Sequence, residues 1–428
     1  MHGSVLGNIY IRKRSFPEWL TILIVLMPLF VEFLLSIIGL PGSIKYIADA
    51  AWVILLLTML LKRSIVLYRK WMPFLVFVVL FFTYTFIIYL FRFQSPFYYL
   101  LGLRNNFRYY VFFFALINFY TQEDADSFFR LVDGLFWANA VITFVQYFFF
   151  GYQQDSLGGI FGINRGANAY TIIFFVIVAS KSLLSYMSQK ETALKCFSKC
   201  IVTLFIAALA ELKVYYVIFL VVLAVSALIT RFSWKKFVAI LICVIGAIFG
   251  SILLTMLFDF DNVLSISYIW ELATQENYSA QGTVNRLSAI PALAKTIVTE
   301  FTDRLFGLGL GNCDTSAFPI CNTPFYQTYG DLRYSWFSCA FLFLETGYIG
   351  LIVFMSFFVL CYILSRKLLK SGRGNPIYCQ MSMIMSVLCV ILTFYNSALR
   401  AEAGYMAYFI LALPFIKANE PSCETEQI

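Results

Sequence analysis

Two arginines one helical turn apart, Arg104 and Arg108 in LRNNFRYYVFF, share a helix face and can grip one anion together. They belong to a set. Arg165, Arg286, Arg333, Arg400 and Lys213 stand at or near the ends of apolar runs, where ionisable groups tend to line cavities. Asn168, Asp331 and Glu345 lie close to the same run ends, and each brings a polar or acidic group. Arginine offers a planar, always-charged fork that fits phosphate and carboxylate. The chemistry this pattern points to is recognition of an anionic ligand. For any single arginine, pairing with Glu32, Asp49, Glu211, Glu345 or Glu402 at similar depth is an equal expectation. A second stretch, FGLGLGNCD at 306–314, has three alternating glycines like a phosphate-cradling loop, but such a run is a weak signal. The expectation there is a tight turn, with Gly307 closing a helix.

The elements that position these residues follow from composition. Of 428 residues, 61% are hydrophobic and 13% charged, and the mean hydropathy is +0.81. A water-soluble domain needs more charge to cover its surface. Apolar runs long enough to cross ~30 Å of hydrocarbon recur along the chain. The expected fold is all-α and polytopic, with spans near 18–39, 44–61, 71–91, 104–120, 127–150, 166–187, 197–211, 213–230, 236–258, 335–364, 377–396 and 400–416, about 12 helices. The short pair 197–211 and 213–230 reads equally as one broken helix. The run after Arg12, Lys13 and Arg14 is too long for a signal-peptide core and reads as a retained span.

Orientation follows from the positive charges. Lys62, Arg63, Arg69 and Lys70 share one connection. Lys190, Lys195 and Lys199 share another, as do Arg231, Lys235 and Lys236, and Arg366, Lys367, Lys370 and Arg373. With both termini in the cytoplasm, one alternating path puts every cluster inside. The chain then reads as a single membrane domain over 1–428, with an outer loop at 259–334 and cytoplasmic tails at 1–17 and 417–428. Of the eleven basic residues left outside, eight are arginine, against eight of twenty inside. The glycine stretch falls outside, away from cytoplasmic nucleotides. NRLSAIPALAKTIVTEFTDRLFG reads as one amphipathic helix bent near Pro291, lying on the membrane or over the cavity, with Arg286 at its start.

Weaker signals are weighed the same way. The ten cysteines show no CxxC pair, so no zinc is expected, and no metal or cofactor is expected elsewhere. Asp259-Phe260-Asp261 reads as a span end rather than a metal-holding pair. Cys313 and Cys321 lie where oxidation is open to them; a disulfide and two free thiols are equal expectations. Tyr326, Tyr329, Tyr334 and Trp336 read as an interfacial belt before a sugar platform. The net charge of +8 is a topology signal, and no nucleic-acid partner is expected.

Taken together, NRLSAIPALAKTIVTEFTDRLFGLGLGN followed by FLFLETGYIG resembles the large periplasmic loop and next helix of Wzy-like O-antigen and capsular polysaccharide polymerases, relatives of the O-antigen ligases. LRNNFRYYVFF, GIFGINRGANAY and AELKVYY agree with it. The resemblance implies a membrane glycosyltransferase in the bacterial inner membrane, with its site facing outward. It joins undecaprenyl-pyrophosphate-linked oligosaccharide repeats; the lipid bilayer, a flippase and a chain-length regulator of the same pathway are the implied partners. Catalytic roles are implied for Arg286, on the pyrophosphate, and for Lys213, Glu345 and Asp331. Arg104, Arg108, Arg165, Asn168, Arg333 and Arg400 are implied to bind substrate. Ligases of this superfamily carry a histidine before the segment resembling ETGYIG; here the single histidine is His2. That favours polymerase over ligase and leaves the general base open among Glu345, Asp331, Glu211 and deprotonation assisted by the substrate alone. A flippase is the expectation of a different class, but many transporters show an internal repeat in their spans and none is apparent here.

Overall fold

A computed structural model describes residues 14–61, 71–163, 167–230, 234–258, 283–315 and 322–417. Arg165, the Asp259–Asp261 pair, Cys321 and His2 therefore lie outside the described residues. Among those described, the chain is helical throughout and contains no strand. The helices are α1 (Phe16–Ser36), α2 (Tyr46–Leu61), α3 (Met72–Phe91), α4 (Pro96–Phe119), α5 (Gln122–Phe148), α6 (Ala167–Met187), α7 (Ala193–Leu209), α8 (Lys213–Ile229) and α9 (Trp234–Phe258). They continue with α10 (Ala289–Thr296), α11 (Phe301–Phe306), α12 (Pro324–Tyr329), α13 (Ser338–Lys370), α14 (Pro376–Tyr395) and α15 (Ala403–Ala412).

Each expected span coincides with a helix. Among the described residues, seven helical segments, Phe16–Ser36, Gly42–Leu61, Met72–Phe91, Gln122–Phe148, Ala167–Met187, Ser338–Lys370 and Pro376–Tyr395, are long and apolar enough to cross a membrane. Lys213–Ile229 and Ala403–Phe415 are apolar but shorter. α4 is long enough, but Arg104, Asn105, Asn106 and Arg108 interrupt its apolar run. Large apolar side chains such as Val79, Leu80, Ile352, Val359 and Ile363 stand exposed along α3 and α13. This is the surface of a protein solvated by hydrocarbon, and the chain has the build of a polytopic membrane protein.

Local chemistry sets the helix ends. The Ser15 N–H donates to the Glu18 carboxylate (3.0 Å) at the start of α1, and the Asp124 N–H donates to the Thr121 hydroxyl (3.3 Å) at the start of α5. Pro17, Pro96 and Pro376 occupy first-turn positions that need no donor. Between α7 and α8 the chain turns at Glu211, whose φ is +55°, so this is a pair of helices. At the centre, Phe74, Phe77, Tyr110, Phe113 and Tyr408 pack around Phe357 with ring centroids 4.9–5.8 Å apart. Such aromatic contacts contribute about 0.5–1.5 kcal/mol each beyond their buried area.

The alternation of helices gives the body two ends. At one, Arg14 pairs with Asp124 (2.6 Å) and the Gln122 N–H donates to the Lys417 carbonyl (3.2 Å). Lys199 pairs there with Glu191 (2.9 Å) and Asp133 (3.1 Å). The other end carries the residues singled out for chemistry.

One expectation is corrected. NRLSAIPALAKTIVTEFTDRLFG is not a single bent helix; it forms α10 and α11, separated by residues 297–300. Pro291 falls in the first turn of α10, where its missing N–H costs little, so it bends nothing. The β-branched run Thr296–Thr299 ends α10 instead. Its last turn closes with the Ile297 and Val298 amides donating to the Leu293 carbonyl, both at 2.9 Å. The Arg304 guanidinium donates to the Val298 carbonyl (2.9 Å).

Candidate functional site

α13 is broken at Gly347, whose φ of +65° and ψ of −171° are not helical. The break frees carbonyls one turn earlier. The Leu308 N–H donates to the Leu344 carbonyl (2.8 Å) and the Gly309 N–H to that of Glu345 (3.0 Å). A Cβ at Gly347 would lie 2.2 Å from the Leu305 carbonyl oxygen, so only glycine lets α13 and the end of α11 touch here. Gly307 closes α11 as expected, its N–H donating to the Asp303 carbonyl (2.8 Å). On the other side, Gly311 meets α4, where a Cβ would fall 1.9 Å from the Tyr98 carbonyl oxygen. The Gln94 side chain also donates to the Leu310 carbonyl. The alternating glycines thus cradle backbone, not phosphate. They thread the chain between α4 and α13 and deliver Asp314.

Asp314 opens onto a cavity of about 310 Å³ lined by Lys45, Arg104, Arg108, Arg400, Asp314 and Glu402, with Tyr46, Asn105, Thr315 and Phe341 among the other walls. Each cation has an acidic partner. Arg104 pairs with Asp49 through both Nε and Nη2. Arg108 lies 3.6 Å from Asp49 and 3.5 Å from Glu402. Its Nη2 donates to the Arg400 carbonyl and to the Tyr109 hydroxyl, both at 2.8 Å. Lys45 pairs with Glu32 (2.6 Å) and Glu402 (3.8 Å), and the Tyr170 hydroxyl shares its one proton between the two carboxylates, at 3.2 and 3.4 Å. Arg400 sits between Asp314 and Glu345, 3.5 Å from each.

The pairing expected of single arginines is therefore present. The layering decides what the cavity offers. Glu32, Asp49 and Glu345 stand behind the cations, and four cations and two carboxylates line the space itself. An anion entering the space would meet four cations and would have to exchange with the acids already paired to them. Burial pushes the Asp314 carboxyl above its ordinary 3.8; Arg400, Asn105, the Thr315 N–H and Arg104 pull against that shift without cancelling it. Among the described residues, no three His, Cys, Asp or Glu side chains come together to hold a metal.

Of the sequence-selected residues, the fold brings Arg104, Arg108, Arg400 and Glu345 together. It leaves the others apart. Arg286 is exposed, with its guanidinium over the Tyr395 ring (4.5 Å to the centroid), and is not in the cavity wall. Lys213 is within 3.2 Å of Glu211 at the α7–α8 turn. Asn168 donates to Asp155. Arg333, at φ +56°, lies over Trp336, and Asp331 beside it is exposed. Tyr334 is buried, its hydroxyl donating to the Cys313 carbonyl (2.7 Å), so it belongs to neither a belt nor a platform. Sequence reasoning missed Asn105 and Asp314 as site residues; Asn105 donates to Asp314 across 209 positions. Asp314 ends the glycine stretch already singled out, and Asn105 lies between the two α4 arginines. No family model matches the chain, and no curated protein matches it.

Proposed function

We propose that the chain is a Wzy-like polymerase that joins polyprenyl-pyrophosphate-linked oligosaccharide repeats on the outer face of a bacterial cytoplasmic membrane. The observation that carries this reading is the cavity lining, four cations with two carboxylates at one end of a body of apolar helices. Few reactions place both a strongly anionic leaving group and a proton acceptor at a membrane surface. Glycan transfer from a lipid pyrophosphate does. The acceptor hydroxyl oxygen bonds to the anomeric carbon while the bond from that carbon to the phosphate oxygen breaks. The leaving pyrophosphate takes the electron pair and gains charge, so fixed cations stabilise the transition state more than the bound substrate. Arg104 and Arg400, one on each side of the cavity, take the phosphates in this reading, and Arg108 fixes the wall between them.

The test uses purified full-length protein in lipid nanodiscs with lipid-linked repeat units. Lengthening of the glycan supports the reading, with Arg104→Ala slowing it about 100-fold, the scale of a lost transition-state donor. Folded wild-type protein that never lengthens the glycan ends it. In cells, loss of surface glycan with lipid-linked units retained inside points to transport instead.

A further inference from the structure

We propose that Asp314 is the residue that takes the proton from the acceptor sugar hydroxyl. This rests on the polymerase reading and deepens it, since the sequence left the base open. Among the described residues, two carboxylates line the cavity, Asp314 and Glu402. Glu402 faces two cations, Arg108 at 3.5 Å and Lys45 at 3.8 Å, which hold its charge and weaken it as a base, where Asp314 faces Arg400. The other acids are out of reach. Glu345 is wholly buried behind Arg400. Asp331 is exposed and off the cavity wall, and Glu211 is engaged by Lys213.

Asp314 is placed for the work. Its side chain is 7% exposed, held by the Asn105 amide through Oδ2 and by the Thr315 N–H (3.1 Å) through Oδ1. Among the described residues, its one full-charge partner within 4 Å is Arg400, shared with Glu345. The groups that face it are Arg104 and Asn105 from α4, Arg400 from the α14–α15 turn, Glu345 from α13, and Cys313 and Tyr334 from its own loop and the entry to α13. Burial raises its proton affinity, which suits a base. As the hydroxyl oxygen bonds to the anomeric carbon, its proton passes to an Asp314 oxygen. The electron pair of the breaking bond leaves with the pyrophosphate. The proton then passes from Asp314 to solvent, which restores the carboxylate. Arg400, between the two acids, keeps Asp314 ionised before the transfer and is released toward Glu345 after it.

The experiment measures kcat and KM against pH for wild type, Asp314→Asn and Asp314→Glu in nanodiscs, using lipid-linked repeat units as donor and acceptor. Asp314→Asn should lower kcat about 1000-fold and leave KM within about twofold, the scale of lost general-base catalysis. Asp314→Glu should retain part of the rate, with its acid limb displaced from that of wild type. Asp314→Asn working within about tenfold of wild type overturns the assignment. If Asp314→Asn does not fold, Asp314→Glu decides, and an unmoved acid limb overturns it. Wild-type protein that elongates nothing removes the polymerase reading instead, so the two failures are separable.

Discussion

The Arg400 guanidinium lies 3.4 Å from the centroid of the Phe341 ring. Phe341 and Glu345 are four residues apart on α13, so one helix face supplies both a ring under the cation and a carboxylate 3.5 Å from it. Arg400 is thereby held flat, its fork spanning toward Asp314 at the same distance.

Lysine cannot reproduce that geometry. Arg400→Lys keeps the charge but loses the planar fork that spans two acids. In the proposed polymerisation, the rate of the purified variant should fall about 100-fold while its melting temperature stays close to wild type. Unchanged polymerisation would make Arg400 a packing residue.

Gly347→Ala should fail by structure rather than chemistry. It forces a side chain onto a φ of +65° and a Cβ to 2.2 Å from the Leu305 carbonyl oxygen. Strain of this kind costs on the order of 1–3 kcal/mol. Thermal unfolding in detergent should show a lower melting point; one equal to wild type would mean that the contact between α11 and α13 relaxes freely.

Arg286→Ala should be nearly silent. The residue is exposed and makes a cation–π contact with Tyr395, worth about 0.5–1 kcal/mol at such a site. Glycan ladders from cells carrying it should keep their length. Collapse to single repeats with the protein present would return Arg286 to the chemistry.

Stability should depend on pH through Asp314. Its folded carboxyl binds a proton more tightly than the unfolded chain does, so the contribution it makes is complete below the ordinary 3.8 and is lost as pH rises through the folded value. Asp314→Asn removes this loss. The melting point of the variant relative to wild type should therefore climb as pH rises above 3.8; a difference that shrinks with rising pH would contradict the buried, proton-hungry carboxyl.

How far the sequence could be read depends on which forces act locally. The apolar runs that became helices were legible because hydrocarbon demands length and apolarity within one segment. Arg104 and Arg108 were legible because one helical turn fixes their common face. Gly307 was legible as a cap for the same local reason. That Arg286 does not line the cavity was not legible, because its role was drawn from a motif while its position depends on how the chain before α10 docks beside Tyr395. The single long helix failed because Pro291 reads as a bend in a helix middle but as an ordinary first-turn residue once α10 starts at Ala289. Asn105 and Asp314 stayed hidden because their contact depends on Gly311 meeting the Tyr98 carbonyl, a fit between distant backbones.

The cavity joins residues from opposite ends of the chain, with Arg108 and Glu402 meeting across 294 positions. A ribosome delivers Glu32, Lys45, Asp49 and Arg104 to the membrane long before residue 400 exists. Lys45–Glu32 and Arg104–Asp49 are complete within that early half. They give the first helices a neutral hold on their own charges while the rest is still being made. Arg108, already 3.6 Å from Asp49, gains Glu402 and the Arg400 carbonyl from the far end of the chain. The charge set of the cavity is thus complete only once the chain has been made as far as Glu402.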